Sequence, residues 1–270
     1  MVPLQSLQGT AGSSPPVYWR ENDEKEQFHS ALSVVEGPRA AQRSAEIYTM
    51  AQHAYATRDL SQLPDIAGLK KLTQSLAMLD AIIEREWDYR YYSFNSNWTP
   101  GEQMASMRDG SGDEWFCLFT SAGAALKGFD HESEMSPWGN DDHRVWKGVL
   151  DQVPPVFSSF LSEPAFSMKD TTFCIWRTNQ DSEWQVGKIE FPDDADDPDG
   201  SEGLLSILDS NPESYQQWAE EYYEKPVNIS AVQRLYQHEP LTTQLVRELN
   251  PEIEFDAILA DAAQIGYPVG

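Results

Sequence analysis

Residues 103–129, QMASMRDGSGDEWFCLFTSAGAALKGF, decide the fold. Two runs of β-forming residues, 103–108 and 114–120, flank Asp109-Gly110-Ser111-Gly112-Asp113, whose glycines permit the positive φ that a tight hairpin needs. Ser121-Ala122-Gly123 then returns the chain through 124–129, which completes a three-stranded meander. In its middle strand Trp115, Cys117 and Phe119 share one face, while Phe116 and Leu118 share the other. Both faces are apolar, so this strand is central in a sheet covered on both sides.

Toward the N-terminus, 89–94 reads as a further strand, closed by a turn containing Asn95, Ser96, Asn97, Pro100 and Gly101. Two helical patterns precede it. Ala41, Ala45, Tyr48, Ala51 and Tyr55 recur at helical spacing within 38–57, and Leu69, Leu72, Leu76, Leu79 and Ile83 form one stripe between Pro64 and about Trp87. With 59–63 as connector they predict an antiparallel helical hairpin. Residues 1–20, with Gly9, Gly12, Ser13, Ser14, Pro15 and Pro16, have the composition of a flexible leader.

Toward the C-terminus, a helical pattern over 145–161 is interrupted at Pro154-Pro155. Strands follow at 172–177 and 183–191, the second changing apolar phase from Trp184 and Val186 to Ile189 and Phe191, as a bulge near Gly187 would require. Beyond the acidic loop 193–202 the pattern is helical to the end of the chain. The expected architecture is α+β: an antiparallel sheet, meander plus hairpin, packed with helices and preceded by a helical hairpin. Its expected parts are a leader (1–20), a helical subdomain (21–88) and an α+β domain with a helical C-terminal part (89–270).

Forty-four acidic residues oppose 19 basic ones, a net charge of −25, and 11% of the chain is aromatic with nine Trp. The aromatics separate it from acidic disordered chains, because they supply the apolar area that folding requires. The charge argues against nucleic acid and anionic lipid as direct ligands and for a basic protein as partner. No apolar run reaches the length of a membrane span, no secretory signal opens the chain, and two cysteines are too few for a disulfide framework, so the expected setting is cytoplasmic. In element order and acidity the chain is similar to the SMI1/KNR4-like group of bacterial immunity proteins, which are acidic α+β single domains. The resemblance implies a fold and a role, and no residue carries over from it.

No catalytic constellation emerges. Cys117 and Cys174 fall in apolar strands that silence a thiol, no glycine-rich turn feeds a helix with a following Lys-Ser or Lys-Thr, and no cofactor is expected. The loop containing Asp130, His131, Glu132, Glu134, Asp141, Asp142 and His143 holds metal-ligating side chains, with His131, Asp142 and His143 the candidate ligands of a metal-dependent hydrolase. A solvated acidic loop explains the same residues. The run Asp193 to Asp199 before Gly200 suggests calcium, but an EF-hand register puts Ala195 first and Ser206 twelfth, where carboxylates are needed.

Aromatics concentrate at Tyr89, Tyr91, Tyr92, Phe94 and Trp98, where a sugar or base could stack or a protein partner anchor, while rings covering helices are the simpler account. Trp138, Trp218, Tyr222 and Tyr223 lie among acidic residues, with Glu220, Glu221 and Glu224 as a charged rim. Aromatic anchors inside an acidic rim suit a basic protein partner. The expected function is therefore a non-catalytic inhibitor or immunity protein, with the metal-dependent hydrolase as alternative and nucleic-acid mimicry behind both.

Overall fold

A computed structural model describes residues 56–140, 142–193 and 196–270. The expected leader and the first expected helix, up to Tyr55, lie outside these residues. The class is α+β: a six-stranded antiparallel sheet with seven α-helices among the described residues. Helix α1 (Ile66–Ile83) precedes strands β1 (Tyr92–Thr99), β2 (Glu102–Arg108), β3 (Glu114–Thr120) and β4 (Gly123–Phe129). Short helix α2 (Ser158–Ser162) leads to β5 (Phe173–Thr178) and β6 (Gln185–Val186). The chain ends in α3 (Ser201–Leu205), α4 (Pro212–Tyr222), α5 (Ile229–Tyr236), α6 (Thr243–Leu249) and α7 (Leu259–Ile265).

Each strand pairs with its sequence neighbours, so the whole sheet is one meander. Phe94, Ala105, Cys117, Leu126, Ile175 and Val186 are paired in series across all six strands and therefore share one face. That face joins the helices in a single hydrophobic cluster. The opposite face carries Met104, Leu118, Ala125 and Trp176 in a second row, and Phe116 and Lys127 beside it. Phe157, Phe160 and Phe166, all fully buried, cover it, with Phe166 stacked on Phe116 at 5.1 Å. The two-sided burial expected for β3 is thus produced by the helical layer on one side and, on the other, by α2 and the short helical turns that flank it.

Helix α1 starts where Asp65 caps it, the carboxylate accepting the Gly68 amide at 2.7 Å. An amphipathic stripe was expected, but every residue from Leu72 to Ile83 is buried. Thr73 Oγ1 donates to the Leu69 carbonyl within the helix, whereas Gln74 and Ser75 reach distant backbone. Gln74 Nε2 donates to the Ile265 carbonyl at 2.9 Å, and Ser75 Oγ donates to the Leu235 carbonyl at 2.7 Å. These side chains tie α7 and α5 to α1, so residues that read as a solvent face in the sequence are the joints of the helical layer.

Three expectations change in detail. The first strand runs past Asn95 to Thr99 and turns at Pro100-Gly101. Asn95 accepts the Asn97 amide within an irregular stretch of pairing, and Ser96 Oγ donates to the Gln264 carbonyl, which satisfies polar residues that otherwise favour a turn. Residues 145–153 are turns rather than helix, and the last strand stops at Val186 instead of 191. The two changes have one cause. The backbone at Gly148 (φ +95°) passes so close to Gly187 that a Cβ on Gly187 would lie 1.8 Å from the Gly148 carbonyl oxygen. The expected bulge at Gly187 is a strand end pinned by another piece of backbone.

Candidate functional site

In α4, Tyr215, Trp218 and Tyr222 fall at three- and four-residue spacing and share one face of the helix. The helix is positioned by Asn211, whose side chain accepts the Glu213 amide, and by Pro212 in the first turn. This face meets the chain just before and at the start of β1. The Trp218 ring lies 4.8 Å from Tyr91 and 5.1 Å from Tyr92, and it stacks on Tyr222 at 5.2 Å with the planes 15° apart. Tyr91 meets Tyr222 edge-on at 5.1 Å, and Tyr222 meets Tyr223 edge-on at 4.9 Å. Two aromatic concentrations more than a hundred residues apart in the sequence thus form one cluster.

Its depth is graded. Tyr215 is fully buried, Trp218 and Tyr91 are half-buried, and Tyr222 is 42% exposed. Tyr89, on the turn before β1, is 66% exposed. At the base, Asp80 of α1 accepts the Tyr92 and Tyr91 amides at 2.7 and 2.9 Å on one oxygen and the Tyr215 hydroxyl at 2.7 Å on the other. Burial pushes the Asp80 carboxyl up to about 6, against these hydrogen bonds. Burial first, and then the charges of Asp80, Asp109 and Glu84, raise the Tyr222 phenol. Glu84 is itself paired with Lys225 at 3.5 Å.

The structure separates the side chains singled out in the sequence. Trp218, Tyr222 and Tyr223 belong to the cluster, with Glu221 and Glu224 exposed beside them. Glu220 instead braces the backbone, because its carboxylate accepts the Val227 amide at 2.9 Å and so fixes the link from α4 to α5. Trp138, 58% exposed, is on the other side of the sheet, where its Nε1 donates to Asp170 Oδ1 at 3.0 Å. The Asp170 carbonyl in turn accepts from Lys127, which projects from the face opposite the helices. Of the metal candidates, His143 packs edge-on against Trp138 at 4.8 Å and Asp142 faces Arg144 at 3.7 Å. Neither joins His131, whose partners are Asp113 and Asp130.

The acidic run before Gly200 also has a structural use. Asp197 accepts the Glu202 and Gly203 amides at the start of α3, and Asp199 accepts the Ser201 amide and the Thr57 hydroxyl. The cysteines lie on opposite faces of the sheet, Cys117 in the row facing the helices and Cys174 opposite Lys127. Burial raises both thiols, Cys174 to about 12, which leaves them unreactive. Among the described residues no helix is long and apolar enough to cross a membrane.

Tyr91, Asp80 and Asp113 are the residues that sequence reasoning did not assign to a site, because each acquires its partners only through tertiary contact. No protein-family model, no curated protein and no solved structure matches the chain. The likeness in element order and acidity therefore stays a resemblance.

Proposed function

We propose that this protein is a non-catalytic cytoplasmic binding protein that captures a basic protein partner, in the manner of an inhibitor or immunity protein. The supporting observation is the graded cluster of Tyr91, Trp218 and Tyr222, which presents aromatic surface beside Glu84, Glu221 and Glu224. Aromatic side chains seated on a buried base make low-entropy anchors, and an acidic rim on a chain of charge −25 steers a cationic partner toward them. Trp138 and Glu220 are left out of this surface, the first for its place on the sheet and the second for its bond to Val227.

The test is a low-salt capture from host lysate with wild-type protein and with a Tyr222→Ala, Glu221→Lys, Glu224→Lys variant. The proposal expects one basic protein retained by the wild type, released by salt and lost by the variant. Equal retention by both proteins, or none by the wild type, contradicts it.

A further inference from the structure

The β2–β3 hairpin and the end of β4 bring together a second group of side chains, independent of the aromatic cluster. Glu114, the first residue of β3, pairs with Phe129, the last of β4, so Asp113 and Asp130 are neighbours across the strand ends. His131 follows at once. One potential ligand atom from each of Asp113, Asp130 and His131 lies within 4.8 Å of the other two. Glu132 adds a third carboxylate, 3.8 Å from His131 Nε2.

The donors are held from behind by backbone. Asp113 Oδ1 accepts the His131 amide at 2.9 Å and contacts its Nδ1 at 2.7 Å. Asp130 Oδ1 accepts the Glu132 and Ser133 amides, both at 2.9 Å; among the described residues Oδ2 has no hydrogen bond, and it packs beside Gly200, where a Cβ would lie 2.3 Å from it. Two half-buried carboxylates are thereby fixed side by side; Asp113 pairs with His131 at 2.7 Å. One imidazole with two carboxylates is a borderline donor set, suited to first-row transition ions above Mg²⁺ or Ca²⁺.

We propose that Asp113, Asp130 and His131 bind one divalent transition-metal ion, with Zn²⁺ the natural probe, and that the ion clips the β2–β3 hairpin to the end of β4. Solvent completes the coordination shell. The site is proposed for binding and carries no assigned reaction.

The experiment is calorimetric titration of ZnCl₂ into chelator-treated full-length protein, with parallel thermal melts. The variants are Asp113→Asn, Asp130→Asn and His131→Ala, with His143→Ala as control. Wild type and His143→Ala should bind one Zn²⁺ and melt higher with it, while each of the other three should lose at least tenfold in affinity. Excess Mg²⁺ should not displace the ion. Asp130→Asn keeps the Oδ1 acceptor of its turn, so it remains informative if Asp113→Asn or His131→Ala disturbs the hairpin. Absence of saturable one-to-one binding, equal affinity in Asp130→Asn and wild type, or displacement by Mg²⁺ would each overturn the proposal.

Discussion

Asp80 is a fully buried carboxylate held by two amides and the Tyr215 hydroxyl, and its pKa of about 6 exceeds the ordinary 3.8 because burial disfavours its charge. The folded state therefore binds this proton more tightly than the unfolded chain. Its contribution to stability is full below about pH 4 and is lost as pH rises through about 6, an effect on the order of 3 kcal/mol at most. Asp197, raised to about 6 by burial, acts in the same direction. The urea midpoint should accordingly be higher at pH 5 than at pH 7, and Asp80→Asn, a mimic of the protonated acid, should shrink the difference. A midpoint unchanged between the two pH values would show that Asp80 is not the buried acid described here. Asp80→Ala leaves three donors without an acceptor and should destabilise the protein at pH 7 by about 3 kcal/mol or more. Nothing around Asp80 in the sequence announces this. It reads as a polar interruption of an apolar helix until Tyr91, Tyr92 and Tyr215 are brought to it.

At the scale of elements, local pattern was legible where the chain makes its own contacts. The hairpin at Asp109–Asp113, the return at Gly123 and the start of α1 after Pro64 follow from turn chemistry and capping, which act over a few residues. The elements depart from local pattern where distant backbone decides. Residues 183–191 alternate well enough to read as a strand, but contact between Gly187 and Gly148 ends it at Val186 and forces 145–153 into turns. Gly187→Ala should consequently cost about 1–3 kcal/mol through overpacking and should loosen both segments together. Hydrogen exchange checks this: protection should fall in 145–153 as well as near Val186, and a loss confined to residue 187 and its immediate neighbours would argue against the shared contact. The same logic explains α1. Its hydrophobic stripe was visible, whereas the burial of Gln74, Ser75 and Asp80 depends on helices more than a hundred residues away.

Across the whole molecule, the charge of −25 acts on folding and on binding with opposite responses to salt. Self-repulsion disfavours the compact state, so raising ionic strength should raise the melting temperature as the Debye length falls from about 10 Å at 0.1 M to about 3 Å at 1 M. A melting temperature that falls with NaCl would mean that paired charges, such as Arg90 with Asp261, outweigh the repulsion. Association with a cationic partner should weaken over the same range. The excess of acidic residues and the neighbourhood of Trp218, Tyr222 and Tyr223 with glutamates were legible in the sequence, whereas the packing of Trp218 on Tyr91 and the place of Trp138 on the other face of the sheet were not, since exposure and sheet face are not encoded in composition. The most direct measurement of the binding account is a hydrogen-exchange footprint of the protein with and without its captured basic partner. Added protection over 87–92 and 216–224 is the predicted result; protection confined to the opposite side of the sheet, around Trp138, would contradict it.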